Sequence, residues 1–184
     1  MIAETDEMRQ AVYEALCAVF RLGPGSLEAD ALIQPGYAEP ENAPRPPRER
    51  NVIYYWLEKD EEAEDRDQEM VLEDGETAGE GRAEIRNFLA YRLVIVCYGP
   101  KSEENARRIR ALLFMDGYRK PRRILRVNGI YLVPNPGQPE ILREPAGSLW
   151  RRRADLVVRL RVKDEVRSGI DLVKVGPEIR IVKG

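Results

Sequence analysis

With 184 residues, 43% of them hydrophobic, the chain is long enough for one domain with a real core, and its 34% of charged residues nearly cancel to a net charge of −2. Histidine is absent, which removes the commonest general base, the Ser–His and Cys–His nucleophile pairs and most zinc sites. The two cysteines, Cys17 in an apolar helical segment and Cys97 in an apolar strand, make neither a disulfide framework nor a zinc site and read as buried thiols of a protein made in a reducing compartment.

The first ten residues, MIAETDEMRQ, are acidic and lack the apolar stretch of a signal peptide. The longest apolar run, residues 93–97, is far too short to span a bilayer, so a soluble protein made in the cytoplasm is expected. Residues 3–22 predict an amphipathic helix with Thr5 as its N-cap. Met8, Val12, Leu16, Val19 and Phe20 form its apolar stripe, and Gly23-Pro24-Gly25 is its stop. Residues 23–50 hold six of the thirteen prolines and predict an extended, irregular arm, suited to lie on a neighbour in an oligomer. Residues 51–57 (NVIYYWL) predict a strand with apolar residues on both faces, hence an interior strand or an interface.

Residues 58–83 form an acidic excursion, and from Glu58 to Glu84 there are thirteen acids and three bases. So long a connector is functional or mobile. A two-stranded arm around Met70-Val71-Leu72, turning near Asp74-Gly75, is expected within it. Residues 84–98 predict a long strand, central in the sheet where it becomes apolar at 93–97. Ser102 is the expected cap of a helix over 103–115, with Ala106, Ile109, Leu112 and Leu113 inward, Arg107, Arg108 and Arg110 mostly outward, and Asp116-Gly117 as its end. Residues 124–133 carry an Asn-Gly pair between apolar runs, the signature of a type I′ hairpin. Pro134-Asn135-Pro136-Gly137 breaks its second arm. Residues 149–163 predict a strand with Ala154, Leu156, Val158, Leu160 and Val162 on one face. Arg151, Arg153, Asp155, Arg159, Arg161 and Lys163 lie on the other, which is solvated or lines something wet. Residues 170–175 and 179–182 predict short closing strands. Together these elements give a single α+β domain over residues 1–184. Its mainly antiparallel mixed sheet packs against two α-helices, with long irregular excursions.

No motif carries catalytic chemistry. Gly99-Pro100-Lys101-Ser102 lies between a strand and a helix, as phosphate loops do, but lacks their glycine spacing and reads as a plain turn. Glu140, Asp155 and Lys163 suggest a metal nuclease, yet Asp155 and Lys163 are eight residues apart on one strand, about 26 Å, and cannot share a site. Neither a cofactor nor a metal is expected. Arg151-Arg152-Arg153 with Arg159 and Arg161 form a basic cluster after Trp150 that could bind phosphates. Pairing with acids of a neighbouring subunit, in its acidic excursion, is preferred because the near-neutral chain supplies the acidic partner; residues 101–126, with nine bases and three acids, add to the basic side of a dipolar surface. Trp56, Trp150, Tyr54, Tyr55 and Tyr131 are either core residues or interface anchors.

Residues 91–114 (YRLVIVCYGPKSEENARRIRALLF) and 125–162 (LRVNGIYLVPNPGQPEILREPAGSLWRRRADLVVRLRV) resemble the neck or tail terminator family of long-tailed bacteriophages. The shared elements are a strand ending in Tyr-Gly, a helix opened by a polar turn, an apolar hairpin, and the strand start Trp150, Arg153, Ala154, Asp155; the aromatic strand at 52–57 belongs with them. The resemblance covers residues 50–57 and 84–163 and leaves out the proline-rich arm and the acidic excursion. It implies a virion protein with no reaction of its own, assembled in the host cytoplasm. A hexameric ring would cap the tail tube protein, stop tube growth and meet a neck or head-completion protein, while DNA passes through the lumen without specific binding. It further implies an intersubunit or ring-face contact at Trp150, Arg151, Arg153 and Asp155. Arg159, Arg161, Arg107 and Arg108 on the basic side, and Glu61, Glu62 and Asp65 in the acidic excursion, are the expected partners of such contacts between chains. Two alternatives are a head-completion or tail-completion connector and a nucleic-acid-binding protein using the arginine cluster.

Overall fold

The computed structural model describes residues 2–36, 46, 48–60, 68–74, 80–115, 119–146 and 149–171. Their spine is a pair of long strands, β4 (Glu80–Tyr98) and β7 (Leu149–Asp171), antiparallel and in unbroken register from Glu80↔Asp171 to Tyr98↔Arg153. The outer edge of β4 takes β2 (Val52–Lys59) along residues 91–98 and β3 (Gln68–Asp74) along residues 81–87. The outer edge of β7 takes β6 (Glu140–Ala146) along residues 149–155 and β5 (Ile130–Leu132) along residues 160–162. β1 (Ile33–Pro35) joins β2 in parallel and completes a seven-stranded mixed sheet.

Helices cover one face. α1 (Ile2–Phe20) and α3 (Ser102–Phe114) bring Val12, Leu16, Val19, Ile109 and Leu113 onto Ile53, Ile95, Leu156, Val158 and Leu160 of the sheet. Leu125 of α4 (Arg119–Val127) and Ala29 of α2 (Leu27–Leu32) close the same core. The apolar alternation of the last long strand is thus the core face, and its charged alternation is left to the opposite side. The architecture is α+β, with four helices among the described residues where the sequence suggests two.

The proline-rich arm is more regular than expected at its start: Ser26 accepts the Ala29 N–H at 3.2 Å and caps α2, and Ile33 begins β1. Most of its later part lies outside the described residues. α1 already runs at Ile2, so Thr5 sits inside the helix instead of capping it, and Arg21 ends it with a φ of 60°. The two-stranded arm exists as β3 on β4, while its turn lies outside the described residues. The cap of α3 is Lys101, not Ser102; its N–H donates to Asn51 Oδ1 at 2.8 Å, fifty residues away in sequence. Residues 124–127 are not the first arm of a hairpin. They end α4, whose Pro121 and Leu125 are buried at helical spacing, and Gly129 in the left-handed region (φ 70°) turns the chain into β5. An Asn-Gly pair serves a helix end as well as a hairpin, and burial against α1 decided between them. Residues 170–171 belong to β7 and start no new strand, and residues 172–184 lie outside the described ones. β6 was not anticipated, because Pro145 and its mixed polarity hide it.

The turn leaving β4 depends on Gly99. Its φ is 101°, and a Cβ there would lie 2.5 Å from the Arg50 carbonyl oxygen and 2.8 Å from Asn51 Oδ1. Gly99→Ala is expected to cost about 1–3 kcal/mol, and Leu156→Ala, at a site 1% exposed, about 2–5 kcal/mol. Urea unfolding monitored by far-UV circular dichroism measures both, and a change below half a kcal/mol for Leu156→Ala would contradict the core described.

Candidate functional site

The face of the sheet away from the helices is built of rows that cross three strands. Val52, Tyr98 and Arg153 form one; Tyr54, Val96 and Asp155 the next; then Trp56, Val94 and Val157; then Glu58, Arg92 and Arg159. Val52, Tyr54 and Val96 make a small buried cluster, flanked by Trp56, Val94 and Tyr98. Trp56 donates its indole N–H to Glu58 at 2.8 Å, and Glu58 pairs with Arg92 at 3.4 Å. Val157 stands 47% exposed among charged neighbours.

At one end of this face a polar cluster surrounds Tyr98. Its ring meets Tyr54 edge-on at 6.0 Å, and the guanidinium groups of Arg151 and Arg153 lie 5.6 and 5.8 Å from its centre. Arg153 donates two hydrogen bonds to Asp155, both 2.7 Å, in the fork geometry that only arginine supplies. Those bonds hold Arg153 further toward its charged form against the opposing effect of burial. Burial pushes the Tyr98 hydroxyl up to about 12, Arg153 pulls it back down, and Glu144 and Asp155 add to the rise. Burial, then Asp155, pushes the Cys97 thiol up to about 12 as well. Arg151 is 8% exposed, and its Nε and Glu144 Oε2 are buried without a hydrogen-bond partner.

Just beyond, where β6 and β7 outrun β4, lies an open cleft of about 480 Å³. Arg48, Arg143, Arg151 and Arg152 line it, with Trp150 and the Gly99-Pro100 turn. Arg143 and Arg152 are directly opposite each other on β6 and β7. Like charges so placed repel. Trp150 is 60% exposed at its rim.

The expected interface residues therefore divide. Trp150 is exposed, Arg151 is buried, and Arg153 and Asp155 are bound to each other. Arg159 and Arg161 are exposed on the open face. Arg107 pairs with Glu103 at 2.7 Å, and Arg108 stacks its guanidinium on Phe20 at 5.1 Å, so both are engaged within their own chain and apart from the cleft described. Glu61, Glu62 and Asp65 lie outside the described residues. Sequence reasoning missed Arg48, Arg143, Glu144 and Tyr98. Recognising β6 would have placed Arg143 and Glu144 beside the arginine run.

The family model of the phage neck terminator protein matches residues 6–184 of this chain. The chain belongs to the phage neck terminator family. No curated protein matches it. This neck terminator chain is thus a structural component of the phage neck, and its place is the tail and neck region of the virion. Among the described residues no helix is long and apolar enough to cross a membrane.

The raised tyrosines give a pH signature. Tyr98 and Tyr55, each pushed up to about 12 chiefly by burial, keep protons in the folded neck terminator that an ordinary tyrosine releases near 10. Their contribution is present below pH 10 and is lost as pH rises toward 12. The urea midpoint is expected to fall across that window, and less steeply in Tyr98→Phe. A flat midpoint in the native chain would contradict the burial of these rings.

Proposed function

We propose that this chain is a tail terminator whose copies form a hexameric ring on the finished tail tube, stop its growth and present a surface to the head side of the neck. The observation that carries this reading is the length of the β4–β7 ribbon. Among the described residues the core's last contributions along it are Tyr91 and Val162, yet the ribbon continues to Glu80 and Asp171 with β3 alongside. That extension is about 35 Å at strand rise. A three-stranded arm that runs so far along the ribbon suits contact with a neighbour. Its β3 edge is a strand edge that the molecule must protect or use. The arm lies at one end of the molecule and the arginine cleft at the other, which favours contacts between unlike surfaces. Repeated around an axis, such contacts close a ring. The neck terminator family supports the location, and the tube protein and a head-completion protein are the proposed neighbours on the two ring faces. In this reading DNA crosses the lumen without a specific site.

Negative-stain imaging of the purified protein mixed with tail tubes of its own phage tests the proposal. Rings on one end of each tube, with tube length fixed afterwards, are expected. Tubes that stay bare and keep growing would overturn it. Trp150, 60% exposed at the cleft rim, gives a sharper test. Trp150→Ala is expected to leave thermal stability within about 0.5 kcal/mol and to raise the concentration needed for capping at least about tenfold. Capping at the native concentration would remove Trp150 from the contact.

A further inference from the structure

We propose that the arginine cleft receives the acidic segment at residues 61–67 of a second copy of this chain. The inference rests on the assembly reading above and names the surfaces that meet.

The first ground is unmet charge. Among the described residues four guanidinium groups line the cleft, and no carboxylate does. Among the described residues no ion pair engages Arg48, Arg143, Arg151 or Arg152. Arg143 and Arg152 face each other across the β6–β7 register, an arrangement that is unfavourable until an anion lies between them. Arg151 lines the same cleft but is 8% exposed and stands opposite Glu144, whose Oε2, like the Arg151 Nε, is buried without a hydrogen-bond partner, so the charge open to an entering group is that of Arg48, Arg143 and Arg152. A carboxylate entering the cleft would pair with the exposed guanidinium groups of Arg143 and Arg152 and relieve their repulsion.

The second ground is the ligand. Residues 61–67 read EEAEDRD, five acids and one base in seven positions. The same chain thus holds both halves of a complementary pair. The neighbouring cleft across Pro100 shares Arg143 and Arg152 and adds Lys101 and Arg107 beside Glu103 and Glu104, with Glu103 already paired to Arg107, so among the described residues the cleft free of carboxylates is the one on the side of Trp150.

The third ground is reach, which decides that the contact is between copies. Asp60 is held by its N–H to the Ala90 carbonyl at 2.9 Å, and Gln68 is held opposite Asn87. The eight steps between them span at most about 28 Å when fully extended, so a tip that goes out and returns stays within about 14 Å of its anchors. From Ala90 to Gly99 at the cleft is nine residues of continuous strand and turn, about 30 Å. The segment cannot touch its own cleft. Contact between copies then joins two different surfaces, which is the heterologous geometry a ring requires.

The test uses a fluorescein-labelled peptide of residues 58–68 (EKDEEAEDRDQ) and the full chain, at a concentration where sedimentation shows a monomer. Fluorescence anisotropy is expected to show saturable binding with a Kd below about 0.1 mM at low salt, weakened at least about tenfold by the double variant Arg143→Glu with Arg152→Glu. Both substituted residues are exposed, and an unchanged circular dichroism melt confirms that the variant folds. A peptide with its acids replaced by lysine is expected to bind the variant and not the native chain. Absence of saturable binding, or equal affinity for native and variant chains, would overturn the proposal. So would a DNA duplex that occupies the cleft, resists displacement by the peptide and is lost in the variant, which would assign the cleft to nucleic acid. The tube-capping experiment separates the two readings. Native protein that caps tubes while the peptide fails to bind removes the cleft contact alone. Peptide binding without capping removes the terminator reading alone.

Discussion

Everything in this molecule is referred to one register. β4 and β7 pair over nineteen consecutive residues, from Glu80↔Asp171 to Tyr98↔Arg153. Because side chains alternate, a slip of one residue would carry Leu156, Val158 and Leu160 to the face away from the helices and bring Asp155, Arg159 and Arg161 into the core. The large cost of burying those charges unpaired holds the register. It also fixes which side chains reach the open face, how far the arm extends past the core, and where β6 and β7 leave β4 behind to form the cleft.

That register ties assembly to folding. Among the residues whose burial is described, the last core contributions along the ribbon are Tyr91 and Val162. Stiffness beyond that point comes from the backbone ladder and from β3, which adds a third strand to what would otherwise be a two-stranded ribbon of marginal stability. At the opposite end, Tyr98 links the small apolar cluster of the open face to the guanidinium groups of Arg151 and Arg153. A contact made at the cleft therefore bears on groups that are themselves packed, which favours a contact of defined geometry over loose charge attraction.

Strong periodicity made the main strands legible in the sequence. The alternation in residues 149–163 gives both the core face and the charged face, and the aromatic run at 51–57 gives β2 with apolar residues on both sides. The arm around Met70-Val71-Leu72 was readable because acidic residues flank a short apolar run. What failed depended on tertiary context. The Asn-Gly after Val127 suits a hairpin or a helix end, and only the packing of Leu125 into the helical layer makes α4. Asn51 accepts the N–H of Lys101, the cap of α3, through a contact fifty residues distant, which no local window can see. Arg151 looked solvent-facing by alternation but is covered near Tyr98 and the β6 pairing. Of the candidate interface, Trp150 and the arginine run were legible from composition. The two strands that gather Arg143 and Arg152 into one cleft were not, since β6 contains a proline and follows a proline-rich turn.

Both thiols lie in the apolar core, Cys17 and Cys97 each 0% exposed, with burial raising both above the ordinary thiol range. The thiolate is the form that attacks oxidants and disulfides, and burial withholds both the thiolate and the access. An oxidant that reaches this neck component therefore meets two thiols shielded both in form and in access, and neither is offered for a disulfide with a neighbouring chain.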